Sequence, residues 1–292
     1  MRKIITILVC LLVCNVAYSK QKEPSVLHYD VSGNRIVHNQ NVNQVRSIAS
    51  ITKLMTAMVS LDYSTDMNKQ LKLIRTVSSS LPTRTYTRHE LFEAMLVRSD
   101  NAAAETLASD YPGGRKSFIV DMNKKAATLG MKFTNFNDPT GLSINNVSTA
   151  SEIANMIVAA SSYDMITQTS IKKQILIESM YKNRLHKILL KNTNRPILFE
   201  FDNVVVSKTG YTTPAGFCVA IVVEQKEQVK REVTMMEEVI AYVSSKPVQR
   251  EETVTHQHVI VVLGSKNPKE RVDRVKEIMY TNALDTKISS IQ

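Results

Sequence analysis

Residues 47–58 read Ser47-Ile48-Ala49-Ser50-Ile51-Thr52-Lys53-Leu54-Met55-Thr56-Ala57-Met58. Ile51, Leu54, Met55, Met58 and Val59 recur at helical spacing, which predicts a helix over residues 50–60 with one face in a core. Ser50 and Lys53 stand three apart at its start, so both side chains fall on one face. A serine hydroxyl is a poor nucleophile at neutral pH and needs an adjacent base. A lysine serves as that base when burial or a neighbouring cation lowers its pKa. The positive end of the helix dipole at Ser50 favours a developing oxyanion.

Taken alone, Ser-x-x-Lys is weak. It recurs at Ser170-Ile171-Lys172-Lys173, which no comparable apolar helix follows, and Ser170 reads as a surface-helix position. Two further motifs raise the specificity. Ser99-Asp100-Asn101 follows Met95-Leu96-Val97, between two helical stretches. A tip there projects Ser99 to relay a proton and Asn101 to hold a substrate carbonyl and the lysine. Ser143-Ile144-Asn145 fits a looser form of the pattern but sits after the turn-rich Asp138-Pro139-Thr140-Gly141. By itself, either match reads equally well as a helix cap.

Lys208-Thr209-Gly210 continues a β-branched run. In a strand, Lys208 and Gly210 share a face and Thr209 takes the other. Lys208 offers charge to a terminal carboxylate, and Gly210 lets a substrate backbone approach. The Tyr211 backbone N–H is a second oxyanion donor beside that of Ser50. An edge-strand lysine before a turn is the plain alternative for this motif alone. The three motifs occur in order, 49 and 109 residues apart, in helix, loop and strand contexts.

Around them the chain reads as α+β. Residues 26–31 and 34–38 flank Ser32-Gly33 as a β-hairpin. Thr87-Arg88-His89-Glu90 and Thr149-Ala150-Ser151-Glu152 read as capping boxes that open helices. Residues 102–109 and 115–129 are helical, ended by Tyr111-Pro112-Gly113-Gly114 and by Gly130. Residues 204–206, 216–223 and 259–263 are β-branched strands, and residues 269–280 form a closing amphipathic helix. This order predicts one antiparallel sheet with edge strands from both chain ends. The charged residues 225–256 read as an extended, partly helical connection between two strands.

The 292 residues, 43% hydrophobic and 22% charged, are enough for a substantial core and do not suit wholesale disorder. Arg2 and Lys3, the apolar run 4–14 and small residues at Ala17 and Ser19 read as a signal peptide over 1–19. The domain then spans 20–283 and a tail 284–292. The mature chain would carry a net charge of +8 and a single cysteine, Cys218, inside an apolar run that marks a buried structural thiol. Export gives a periplasmic protein without an intramolecular disulfide. A basic surface there suits cell wall or membrane headgroups, so peripheral membrane contact is an expected possibility. No nucleic-acid motif accompanies the charge. His256 and His258 share a strand face without a third ligand, which reads as an exposed strand end, and no metal site is expected.

The chain resembles the low-molecular-mass penicillin-binding proteins, most closely the D-alanyl-D-alanine endopeptidase type within the peptidase S11-like serine DD-peptidases. The likeness rests on residues 47–58, on Asn101-Ala102-Ala103-Ala104 through Tyr111-Pro112-Gly113-Gly114, and on Leu129-Gly130-Met131 with Asp138-Pro139-Thr140-Gly141-Leu142-Ser143. It extends to Lys208-Thr209-Gly210-Tyr211-Thr212 with Ala215-Gly216-Phe217-Cys218. It covers about residues 24–224 and 257–283.

The resemblance implies a five-stranded antiparallel sheet flanked by helices, with an all-helical subdomain. It implies acylation of Ser50 by a D-alanine carbonyl of peptidoglycan stem peptides, followed by hydrolysis, and covalent inhibition by β-lactams. Lys53 would be the proton acceptor, Ser99 and Asn101 the second catalytic element, and Lys208, with Thr209, Gly210 and Tyr211, would bind substrate. No cofactor is implied. A DD-carboxypeptidase uses the same machinery and stays open, as does a non-catalytic wall- or β-lactam-binding protein. A class A β-lactamase is disfavoured because no Glu-x-x-Leu-Asn string occurs.

Overall fold

The computed structural model of the chain describes residues 23–181, 184–230, 233–244 and 251–284. The signal peptide reading of 1–19 and most of the tail lie outside these residues. Leu284, the first residue assigned to the tail, is buried against Met279 and belongs to the domain core.

Strands β1 (Ser25–Asp30) and β2 (Arg35–Gln40) form the expected N-terminal hairpin. The two-residue strand β3 (Arg46–Ser47) leads into a 3-10 turn, Ala49–Thr52, and then helix α1 (Lys53–Tyr63). Leu54, Met55, Ala57 and Met58 of α1 are fully buried, so this helix runs through the middle of the molecule. Strands β4 (Gln70–Lys72) and β5 (Thr85–Thr87) pair beside α2 (Arg88–Val97), which opens on the complete Thr87–Glu90 capping box. Helices α3 (Asn101–Ser109) and α4 (Gly114–Thr128) complete the helical lobe around α1.

Strand β6 (Val147–Ser148) pairs with β3, and α5 (Ala150–Ser161) follows. Only half of the second capping box forms there. Thr149 accepts from the Glu152 N–H, but the Glu152 carboxylate turns to the Phe133 N–H and the Thr134 hydroxyl. Two better-placed donors across the loop outcompete the backbone of Thr149. Helix α6 (Asp164–Ser170) precedes a separate hairpin of β7 (Gln174–Tyr181) and β8 (Arg184–Lys191), then α7 (Arg195–Leu198). Strands β9 (Val204–Thr212) and β10 (Gly216–Lys230), helix α8 (Met235–Ser244), strand β11 (Glu251–Ser265) and helix α9 (Pro268–Thr281) close the fold.

The main sheet has the order β2-β1-β11-β10-β9, all antiparallel. Its C-terminal strand β11 therefore lies at the centre, and the edges are β2 and β9; the expectation of an edge from the C-terminal end is corrected. Both faces are covered. Cys218, Ala220 and Val222 face α1 and α5, whereas Val219, Ile221 and Val223 face α7 and α9. A strand buried on both faces reads as a continuous apolar run rather than an alternation, which is why residues 217–223 and 259–263 look as they do.

Residues 225–256 connect two sheet strands and are extended and partly helical, as expected, but the extended parts pair with each other. β10 and β11 remain paired beyond the sheet out to Lys230↔Glu251, so much of this segment is a long two-stranded ribbon with α8 following it. Met235, Val239, Ile240 and Val243 of α8 are exposed.

Candidate active site

The 3-10 turn brings Ser50 and Lys53 together as their spacing predicts. Lys53 Nζ lies 2.8 Å from Ser50 Oγ, 2.7 Å from Asn101 Oδ1 and 2.7 Å from the Thr140 carbonyl oxygen. Lys53 is fully buried, and that burial lowers its pKa to about 7, against the pull of Asp138, Asp100 and Glu105. A neutral amine can donate to Asn101 and Thr140 and turn its lone pair to the Ser50 O–H. That is the arrangement of a general base.

Ser99 and Asn101 arrive from the junction of α2 and α3. Ser99 has φ +63°, the left-handed region that a non-glycine residue enters at a cost of about 1–3 kcal/mol. Asp100 holds it there. Its carboxylate caps α3 through the Ala103 N–H at 2.9 Å and accepts from Ser79 Oγ at 2.8 Å and the Ser80 N–H. Asn101 Nδ2 donates to Ser78 Oγ, so residues 78–80 brace both ends of the motif.

Lys208 enters from edge strand β9. Its Nζ donates to Ser99 Oγ and to the Thr209 carbonyl, each at 2.9 Å. Burial, with Lys53 and Arg271 nearby, holds the Lys208 pKa well below the ordinary lysine value. Thr209 Oγ1 bonds Thr193 Oγ1 at 2.7 Å. Gly210 makes its close approach to the protein itself: a Cβ there would lie 2.9 Å from the Ser50 nitrogen and 3.1 Å from the Ala49 Cβ. Tyr211 is exposed and stacks on Phe217 at 4.2 Å.

The sequence pattern of the peptidase S11 family, described as D-alanyl-D-alanine carboxypeptidase, matches residues 16–238. The chain belongs to the peptidase S11 family. Among relatives, it is 36% identical over 205 residues to the D-alanyl-D-alanine endopeptidases of Escherichia coli and Pseudomonas aeruginosa, covering 68% of this chain and 66% of each relative. The match therefore spans just under two thirds of their length. D-alanyl-D-alanine carboxypeptidase DacF of Bacillus subtilis is 28% identical, covering 63% of this chain and 49% of its own. The ampicillin-bound penicillin-binding protein D2 of Listeria monocytogenes superposes with TM-score 0.68 at 25% identity, over 88% of this chain and 95% of that one. A variant of the Streptomyces K15 DD-transpeptidase shares the fold with TM-score 0.72 at 20% identity, over the same shares of each chain.

The site of this S11 chain is a cleft of about 390 Å³ that includes Ser50, Ser99, Asn101, Thr209, Tyr211 and Arg271. Sequence reasoning missed Thr140, Ser78, Thr193 and Arg271. Thr140 contributes a carbonyl and so carries no side-chain signal, although its loop was visible as a turn. Asp138 shapes that loop by accepting from the N–H groups of Thr140, Gly141 and Ser143. Arg271 is one cation within an amphipathic helix, with nothing in its neighbours to single it out. Its Nε is buried without a partner among the described residues. Lys208, read from the sequence as a partner for a terminal carboxylate, turns its Nζ to Ser99, and Arg271 places a second cation on the cleft wall.

The competing candidates fall elsewhere. Ser170 is not a surface residue: it is fully buried, and its Oγ accepts from the Ser207 N–H of β9 because the end of α6 packs beneath that strand. Ser143 and Asn145 stay in the surface loop. The buried Cys218 thiol is pushed up to about 11 by desolvation, which removes it as a nucleophile. His258 is not an exposed strand end either. It is buried and 3.3 Å from His28 Nε2, because β11 is central and β1 covers its flank. Among the described residues no group of three His, Cys, Asp or Glu is placed to hold a metal.

Proposed function

We propose that this S11 chain is a DD-endopeptidase that hydrolyses D-alanyl crosslinks of peptidoglycan through an acyl-Ser50 intermediate. The observation that carries the chemistry is Lys53 Nζ, buried, 2.8 Å from Ser50 Oγ and anchored by Asn101 and Thr140. The preference for crosslinks over terminal D-alanine is supported by the endopeptidase names of the relatives at 36% identity.

In acylation, Lys53 takes the Ser50 proton as Oγ bonds to the D-alanine carbonyl carbon. The backbone N–H groups of Ser50 and Tyr211 face the oxyanion. As the carbon–nitrogen bond breaks, Ser99 gives its proton to the leaving nitrogen and regains one from Lys208. Acylation thus leaves Lys53 protonated and the Lys208 ammonium neutral, and the proton on Lys53 returns to Lys208 through solvent before the ester is cut. Water then splits the ester: its hydroxyl joins the acyl carbon and its remaining proton restores Ser50. Arg271 faces the carboxylate on the residue released from the scissile bond. The same geometry would open a β-lactam ring and retain it as an ester on Ser50. Export to the periplasm, supported by the pattern of residues 1–19, would place the enzyme beside its substrate.

The test is intact-mass and peptide analysis after incubation with a β-lactam, together with hydrolysis of a crosslinked muropeptide dimer. One adduct on Ser50, absent in Ser50→Ala and retained in Ser170→Ala, with dimer cleavage, is expected. Folded protein that forms no adduct would return the choice to a non-catalytic wall-binding protein. Adduct formation with release of terminal D-alanine alone would give the carboxypeptidase.

A further inference from the structure

The loop that carries Ser99 has a second, unassigned face. Arg98, just before it, is exposed and its Nε reaches Ser80 Oγ at 3.3 Å. Across from it runs the end of β8. Arg98 and Ser80 with Ile188, Leu189, Leu190 and Lys191 enclose a groove of about 280 Å³. The two sides are tied together: the Thr193 N–H donates to the Val97 carbonyl at 3.1 Å, and Thr193 also lines the catalytic cleft. Arg98 is next to Ser99 in the chain and Lys191 is two residues from Thr193, so the groove adjoins the cleft at Ser99.

Its charge is one-sided. Residues 171–195 contain seven lysines and arginines against one acid, Glu178. Lys172, Lys173 and Lys187 pair with Glu93, Asp202 and Glu178. Neither Arg98 nor Lys191 has a carboxylate partner among the described residues, and both are exposed on the groove. Leu189, half exposed, gives it an apolar floor. Two cations without carboxylate partners among the described residues, over an apolar strip, suit a peptide that carries carboxylates on short aliphatic stems.

The chemistry of the reaction says which part of the substrate this is. Ser99 protonates the leaving nitrogen, so the leaving fragment lies against Ser99 and extends onward from it. A single released amino acid ends near Arg271. A released stem peptide is longer and must continue somewhere, and the groove beyond Ser99 is open to it.

We infer that the groove between Arg98 and Lys191 is a subsite for the leaving half of a crosslinked stem peptide, held through its carboxylates. This rests on the endopeptidase reading above. It makes Arg98 and Lys191 specificity-determining rather than catalytic residues.

The experiment compares kcat/KM on a crosslinked muropeptide dimer with that on a short acyl-D-alanyl-D-alanine peptide. It is run on the wild type, Arg98→Ala/Lys191→Ala, the conservative Arg98→Lys/Lys191→Arg, and a charge-matched control, Lys116→Ala/Lys132→Ala, elsewhere on the surface. The dimer-to-peptide ratio is expected to fall about tenfold in the alanine pair, mainly through KM, and to recover in the conservative pair. The loss should shrink as ionic strength rises. A ratio within about twofold of wild type, or an equal fall in the control, overturns the subsite while leaving the endopeptidase intact. Wild-type protein that acylates with β-lactam but does not cleave the dimer overturns both.

Discussion

Gly141 lies so close to Ala49 that a Cβ added to it would stand 1.9 Å from the Ala49 carbonyl oxygen. The glycine sits at φ +83° in the loop that aims the Thr140 carbonyl at Lys53. The Ser50 turn and its supporting loop are therefore packed backbone to backbone.

Gly141→Ala is expected to push the two apart. The left-handed backbone alone costs about 1–3 kcal/mol for a residue with a Cβ, and the clash adds to it. The outcome is a lower melting temperature and a slower acylation of Ser50 by a β-lactam. Acylation at the wild-type rate would show that the Thr140 contact does not position Lys53.

Acylation should follow the ionisation of Lys53. Its pKa is lowered to about 7, and only the neutral amine accepts the Ser50 proton. The second-order rate of acylation rises with pH through about 7 and levels above it. Lys53→Arg, which keeps a charge at every accessible pH, should cost about 10²–10⁴-fold. A rate flat from pH 5 to 9 would remove Lys53 from the base role.

Much of this was legible in the sequence for stated physical reasons. A helix after Ser50 was visible because Leu54, Met55 and Met58 repeat at its period, although α1 runs Lys53–Tyr63 and Ser50 itself sits in the preceding 3-10 turn. The strands were visible because burial on both faces makes their runs continuous. The β10–β11 ribbon was not, since Lys226↔Thr255 and Glu227↔Val254 pair outside any core and leave no apolar alternation. Ser170 was misplaced because two lysines after it suggest a surface, yet the serine turns inward under β9. The Thr140 carbonyl and the Ser50 and Tyr211 N–H groups are backbone atoms, which no residue pattern marks. Gly210 was singled out for a substrate's approach, and the groups that crowd the place of its missing side chain are those of residues 48–50.

Stability should fall in mild acid through His28. Desolvation, with His258, lowers its pKa from 6.5 to about 4; Asp30 pulls the other way, and His38 and Arg35 add to the lowering. Between those values the unfolded chain binds more protons than the folded one, so this contribution is complete above pH 6.5 and is lost as pH falls towards 4. His28→Gln removes the titration and keeps a polar group beside His258. The drop in melting temperature between the two pH values should then shrink. An unchanged drop would assign it to other groups.

Arg271 offers the sharpest separation of substrate binding from proton transfer. Its guanidinium touches neither Lys53 nor Ser50 by any hydrogen bond, but it lines the cleft and its buried Nε has no partner among the described residues. A charge-assisted bond to a substrate carboxylate contributes about 1.5–3 kcal/mol, so Arg271→Leu should lower kcat/KM on an acyl-D-alanyl-D-alanine peptide about 10–100-fold. The pH at which acylation reaches half its maximum should stay with Lys53. Amidating the peptide's terminal carboxylate removes the partner, so the wild type and Arg271→Leu should then react at similar rates. If the variant loses as much on the amidated peptide as on the acid, Arg271 supports the cleft wall and does not read the carboxylate.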